Sequence, residues 1–352
     1  MYVHYGMGHQ GFFYRAMKGK NMSSVSSIEA LRFDESITPL PRPTVPEVEA
    51  ILGVPIPVLD HGFVRLIDYM GNDAAIVQAA RVSYGAGTKK VSEDKALIRY
   101  LLRHKHTSPF EMVEVKLHIK APIFVARQWV RHRTASANEI SGRYSILSDE
   151  MYLPDDTQVS FQSSDNKQGR STNEVPDAVR ERVRELLLTG QRESYAAYQE
   201  LIDAEIAREL ARVALPVSVY TEWYWKMNLH NLFHFLALRT DAHAQFEIRI
   251  FAEAICLIVQ RLAPVAYGAF IDYARDATHL SAPERQIVVR ALRGEPLAPS
   301  DWAGIGKRER AEFARKFGLD PTNLPGYAPV SATPPTPAPA PMLNGNGHEG
   351  HD

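Results

Sequence analysis

Val113-Glu114-Val115-Lys116-Leu117-His118-Ile119 alternates apolar and polar residues without a break, the period-two pattern of a strand with one dry and one wet face. The rhythm then changes. Ala121-Pro122-Ile123-Phe124-Val125-Ala126-Arg127-Gln128-Trp129-Val130 is apolar, with a proline where a helix can begin. Ile123, Val125, Ala126, Trp129 and Val130 would bury that helix, and its end would deliver Gln128 and Arg131 on nearly one face. Around this strand-to-helix step, other segments read the same way. Phe63 to Asp68 alternates like a strand, and Val217 to Trp225 is rich in β-branched and aromatic residues. Asn72-Asp73 can cap a helix running to Ser83, and Ser92 with Glu93 and Asp94 looks like another start. Pro176 opens a long helix to about Ala204, and Asn228–Arg239 and Gln245–Leu262 also read as helices. Few strands, many helices and no regular βαβ alternation make an α+β fold, with mixed helices around a small, mainly antiparallel sheet.

The fold is expected over 59–320 of the 352 residues. Residues 1–58 read as an N-terminal extension, partly disordered. Met22 is an alternative start within it, and repeated prolines between 38 and 57 suggest an extended arm. Residues 155–175 are polar enough for a mobile loop, and 321–352 is a Pro/Ala-rich tail expected to be disordered. A hydrophobic content of 45% suits a globular core, and the net charge of −1 argues against a general polyanion binder. The single cysteine, Cys256, excludes an intramolecular disulfide and a multi-cysteine metal site. It sits in an apolar helix-like run, where a packed, inert thiol is expected. No apolar run reaches membrane-spanning length and the N-terminus has no apolar signal core, so cytoplasm is the expected location.

The chemistry concentrates after Val130. Arg131-His132-Arg133-Thr134-Ala135-Ser136-Ala137-Asn138-Glu139-Ile140-Ser141-Gly142-Arg143-Tyr144-Ser145 gathers three guanidinium groups and an imidazole around one carboxylate. Burying such charges without partners costs several kcal/mol each. Guanidinium forks match phosphate and carboxylate groups, so this polar loop reads either as solvated surface or as a receptor for an anionic ligand such as a nucleotide. A second cluster follows Asn228: His230 and His234 are helical neighbours, and Arg239 closes the helix. Paired histidines at that spacing can bind zinc, but no Glu follows His230 and no third ligand is apparent, so no metal is expected. His104-Lys105-His106-Thr107-Ser108-Pro109 reads as a helix end followed by a Ser108 cap that would also suit a phosphate. No Gly-x-Gly-x-x-Gly follows a strand and no P-loop is present, so side chains must hold any dinucleotide. Three classes remain at this point: a nucleotide enzyme, a nucleic-acid-binding module using the basic 127–143 loop, and a zinc hydrolase.

Arg131-His132-Arg133, seven residues, then Ser141 form an Arg-His-Arg-(x)7-Ser signature that resembles the flavin-dependent thymidylate synthases. Phe63–Ser83, His104–Glu111, Ala121–Ser148, Ala211–Tyr220 and Asn228–Glu247 resemble the family's other blocks, so the likeness covers roughly 59–275. It implies a homotetramer with active sites between subunits and FAD as cofactor. It also implies conversion of dUMP to dTMP, with 5,10-methylenetetrahydrofolate supplying the carbon and NADPH the electrons. Nucleic acid and membrane are not implied partners. Carried over residue by residue, the resemblance gives FAD to Ser108, Arg131, His132, Arg133, Glu139, Asn228, Leu229, His230 and His234. It gives dUMP to Gln128, Trp129, Val130, Arg131, Glu139, Ile140, Ser141, Gly142, Arg143 and Arg212, some from a neighbouring subunit. Arg239 would be the activating residue, and His106 would line the flavin and folate side.

The residue types suit that chemistry. Uracil C5 is a weak nucleophile, and Cys256 is in the wrong company to add to the ring. A guanidinium shielded from water can instead stabilise the anion as C5 gains enolate character, an effect of about 3–4 kcal/mol for one oriented donor. No side chain supplies a hydride, so the reduction of a methylene to a methyl needs a redox cofactor. Ser141 is a nucleophile by type but has no evident His-Asp pair to activate it, so it is assigned to dUMP binding.

Overall fold

The computed structural model describes residues 35–36, 38–82, 91–164 and 169–327. Ser83, the side chains of Ser92 and Glu93, most of the N-terminal extension with Met22, and the end of the tail lie outside the described residues. The sequence reading carries one domain across 59–320; the chain divides instead into two compact units, Met1–Ala277 and Thr278–Asp352.

In the first unit a one-turn helix α1 (Pro46–Glu49) leads to β1 (Pro55–Val58). This departs from a partly extended arm ending at 58. Val48 is fully buried, and β1 pairs antiparallel with β2 (Gly62–Met70). The prolines are compatible with both elements, since Pro46 sits in a first helical turn and Pro55 and Pro57 lie on an edge strand. Helices α2 (Asp73–Val82), α3 (Val91–Arg103) and α4 (Ser108–Glu111) follow. The Asn72 side chain accepts from the amides of Ala74 and Ala75, as its capping role requires. Ser108, however, is not a cap. Thr107 holds that position without a side-chain bond, and Ser108 is the first helical residue.

Strand β3 (Glu114–Pro122) buries Val115, Leu117 and Ile119 and hands directly to α5 (Ile123–Trp129). The α5 helix buries Val125, Ala126 and Trp129, but Ile123 is half-buried and Val130 is 59% exposed, against expectation. The polar stretch after it is not all loop. Ser136–Glu139 forms β4, an exposed edge strand antiparallel to β5 (Tyr220–Asn228). Strand β5 starts later than Val217, because Val219 closes a turn on the Pro216 carbonyl. The sheet order is β1-β2-β3-β5-β4 and every pairing is antiparallel, which bears out the α+β expectation.

Between β4 and β5 lie the long helix α6 (Asp177–Asp203) and the short α7 (Arg208–Ala211). Within 155–175, Gln162 and Arg170 form an isolated β-bridge. After β5 come α8 (Leu229–Arg239), α9 (Phe246–Leu262) and α10 (Pro264–Phe270). The core centres on Trp129, which is fully buried, with its ring centroid 5.3 Å from those of Trp223 and Trp225 and 4.8 Å from that of Phe235. Burying such a ring contributes on the order of 2–3 kcal/mol, which ties α5 to β5 and α8.

The second unit has its own core. Helices α11 (Ala282–Leu292) and α12 (Lys307–Phe317) enclose Ile287, Trp302, Ile305, Phe313, Ala314 and Leu324. Trp302 Nε1 donates to the Pro325 carbonyl at 3.0 Å, so 321–325 belongs to this unit rather than to a disordered tail.

Candidate active site

Two helix ends meet beside the aromatic core. Helix α8 begins at Asn228, whose Oδ1 accepts from the Asn231 amide at 3.0 Å, and it ends at Arg239. Helix α5 ends at Trp129, and His132 folds back to donate its amide to the Trp129 carbonyl at 3.0 Å. Arg239 Nε donates to His132 Nε2 at 3.1 Å, and Arg239 Nη2 donates to the Gln128 carbonyl at 3.4 Å. Because His132 Nε2 accepts, the ring is neutral and its proton sits on Nδ1. Burial, then the Arg239 guanidinium and His234, push His132 down to about 4. Burial and neighbouring Arg131 pull Arg239 below its ordinary value, yet a guanidinium stays charged at neutral pH. The His234 ring lies 6.2 Å from that of His132, and His230 is half-buried one turn earlier on α8.

A cleft of about 240 Å³ opens next to this junction, lined by Trp129, Val130, His132, Arg133, Ala135, Ala137, Trp223 and Trp225. Arg131 and Arg133 are exposed and form no ion pair among the described residues. The side chains of Trp129 and Leu229 are fully buried in the core, so in this arrangement neither is free to meet a ligand. No group of three or more His, Cys, Asp or Glu side chains placed to hold a metal occurs among the described residues.

A second cluster forms around Ser141-Gly142-Arg143. Glu139 accepts from Thr221 Oγ1 at 2.6 Å, and the Ile140 amide donates to the Glu222 carbonyl at 2.9 Å, which anchors the turn to β5. Ser141 Oγ accepts from the Arg143 amide at 3.3 Å. Among the described residues no base hydrogen-bonds the Ser141 side chain. Arg143 pairs with Glu209 at 3.3 Å. Gly142 is packed so closely that an added Cβ would lie 3.3 Å from Arg212 Cδ, which places the Arg212 stem against the turn. No hydrogen bond or ion pair among the described residues joins this cluster to the Arg239–His132 pair. Ser108 is exposed on α4, and the His106 ring lies 5.9 Å from that of Tyr100.

A third group was not anticipated. Glu247, 2% exposed, accepts from Tyr152 Oη at 3.0 Å, from Gln245 Nε2 at 2.8 Å and from Arg170. Burial pushes its carboxyl up, but the Arg170 charge and the hydrogen bonds from its own backbone, Gln245 and Arg170 outweigh it and hold the group below its ordinary value. The signal was present in the sequence, because Glu247 shares the helical stripe of Phe251, Ala254, Ile255 and Ile258, and a carboxylate on a buried stripe needs a partner.

Cys256 stands apart. It lines another cavity, of about 460 Å³, with Glu253, Tyr267, Arg275 and Thr240, the neighbour of Arg239. Burial pushes its thiol above the ordinary value, against Tyr267 and Arg275, so it is a poor nucleophile at neutral pH.

A family model described as thymidylate synthase complementing protein matches residues 65–265. A Rickettsia prowazekii protein named flavin-dependent thymidylate synthase is 52% identical over 288 residues, covering 78% of this chain and 98% of that protein. The chain belongs to the flavin-dependent thymidylate synthase family. A Gluconobacter oxydans member is 52% identical over 292 residues, covering 82% of this chain and 95% of its own length. Among solved structures, the UMP/dUMP methylase PolB from Streptomyces cacaoi, bound with 5-Br dUMP, aligns with a TM-score of 0.57 and 34% identity. That alignment covers 62% of this chain and 99% of PolB. The family match spans both clusters and the Glu247 group. The site's donor set fits the family's flavin: the exposed, unpaired guanidinium groups of Arg131 and Arg133 suit phosphates. No helix among the described residues is long and apolar enough to cross a membrane.

Proposed function

We propose that this enzyme methylates dUMP to dTMP with FAD bound, taking the carbon from 5,10-methylenetetrahydrofolate and the electrons from NADPH, without a cysteine nucleophile. The observation that carries the reading is the Arg239 guanidinium, whose Nε lies 3.1 Å from Nε2 of His132, a residue that lines the cleft, in a chain of this family. Arg239 stabilises the negative charge that develops on the pyrimidine as C5 attacks carbon. Neutral His132 aims it, because a ring that accepted a proton would repel the guanidinium instead of accepting from it. Arg143 and Arg212 hold the dUMP phosphate, with Glu139, Ile140, Ser141 and Gly142 shaping the turn around it and Gln128 and the backbone at Trp129 and Val130 bordering it. Arg131, Arg133, Ser108, Asn228, His230 and His234 hold FAD, with Glu139 and the backbone at Leu229 beside them. Reduced flavin, when bound, supplies the two electrons that turn the methylene into a methyl.

Two features favour a homotetramer with active sites between subunits. The cleft is smaller than the roughly 300–1,000 Å³ that drug-sized ligands occupy, so one chain supplies only part of the wall around FAD. Helix α6 buries only Tyr198 and exposes Val179, Leu186 and Leu187, an apolar face that further subunits can cover. The reaction is that of a cytoplasmic enzyme. The test is anaerobic: flavin-loaded protein is reduced with NADPH, then given dUMP and methylenetetrahydrofolate singly and together. Formation of dTMP and reoxidation of the flavin only with both supports the reading; a protein that takes up no flavin contradicts it.

A further inference from the structure

The Glu247 group reaches the site through a chain of amides. Glu247 is a carboxylate and can only accept, so Gln245 must turn its NH2 toward it, where the bond is 2.8 Å. That rotation leaves Gln245 Oε1 facing outward, and Gln128 Nε2 donates to it. Gln128 must therefore spend its NH2 on Gln245 and keep its carbonyl oxygen free. The charge at one end sets the rotation of both amides, whatever the ambiguity of amide orientation elsewhere. Three elements hold the carboxylate: Tyr152 before the 155–175 segment, Arg170 within it, and the first turn of α9. At the other end, the Gln128 backbone carbonyl accepts from Arg239, so the residue that carries this amide is itself tied to the activating guanidinium.

We propose that Glu247, acting through Gln245, is a positioning residue that fixes the rotation of the Gln128 amide and so presents its carbonyl oxygen to a hydrogen-bond donor on the bound nucleotide. That donor is the N–H of the base or the 3′ hydroxyl of the deoxyribose. The inference rests on the reading of Gln128 as a dUMP ligand, and the experiment separates the two. Dissociation constants for dUMP are measured by calorimetry on flavin-loaded parent, Gln128→Ala, Gln245→Ala and the double variant. Each single variant is expected to bind dUMP about threefold to tenfold more weakly, the scale of one net hydrogen bond. The double variant is expected to bind no more weakly than Gln128→Ala, because the relay has no other route. Penalties that multiply in the double variant, or parental affinity in Gln245→Ala, overturn the relay while leaving Gln128 a ligand. Parental affinity in Gln128→Ala overturns the assignment of Gln128 to dUMP and the relay with it. Glu247→Gln keeps the size and removes the charge, and is expected to match the loss in Gln245→Ala. Should it fold poorly, Gln245→Ala, at an exposed position, carries the test. Repeating the measurement with 2′,3′-dideoxyuridine monophosphate identifies the donor: the Gln245→Ala penalty persists for a base N–H and vanishes for the 3′ hydroxyl.

Discussion

At the scale of the residue, the Arg239–His132 contact makes the most specific predictions. An imidazole pushed from 6.5 down to about 4 takes up its proton in the unfolded chain before it does so in the fold. Its contribution to stability is therefore present above pH 6.5 and is lost as pH falls toward 4. The midpoint of thermal unfolding should drop across that window, and His132→Gln, which keeps an acceptor for Arg239 but does not titrate, should flatten the drop. An unchanged slope in His132→Gln would show that the ring does not carry it. Arg239→Ala is predicted to lower kcat about 100-fold to 1,000-fold with dUMP affinity near the parent's. Arg239→Lys should not restore it, because an ammonium lacks the fork that reaches His132 and the Gln128 carbonyl together. Steady-state kinetics with parallel dUMP titrations reads both. Gly142→Ala would set a methyl 3.2 Å from Leu147 Cδ1 and 3.3 Å from Arg212 Cδ. Displacing the Arg212 stem should raise KM for dUMP while leaving kcat at saturation largely intact.

At the scale of the element, the site depends on how α5, β5 and α8 meet. Trp129 joins them, so Trp129→Ala should cost about 3–5 kcal/mol in urea unfolding. A loss under 1 kcal/mol would mean that the junction is held some other way. What the sequence revealed follows from what kind of force sets each element. Helix α8 was legible at both ends because Asn228 caps it locally and Arg239 closes its last turn. Helix α6 was legible from Pro176 for the same local reason. Strand β4 was not, because Ser-Ala-Asn-Glu has no apolar face and becomes a strand only through pairing with β5. The start of β5 was missed by three residues because Val217 looks β-like, whereas the turn at Pro216 decides. In the site, Arg131, His132 and Arg239 stood out as charges next to apolar helices. The Arg170–Glu247 pair did not, since its partners lie 77 residues apart and only the fold brings them together.

At the scale of the whole molecule, the family's match at 65–265 lies within the first unit, and the second unit closes a core of its own after Thr278. The first unit holds every residue assigned to nucleotide or flavin. It also holds the sole cysteine, which lines a cavity with no residue in common with the indole-lined cleft and whose thiol is held protonated by burial. The proposed electrostatic route to a reactive pyrimidine asks nothing of that sulfur. The decisive measurement is dTMP formation by flavin-loaded Cys256→Ser with dUMP, methylenetetrahydrofolate and NADPH. Turnover at the parent's rate is the predicted result; loss of turnover in a Cys256→Ser protein that folds normally and retains its flavin would contradict the account.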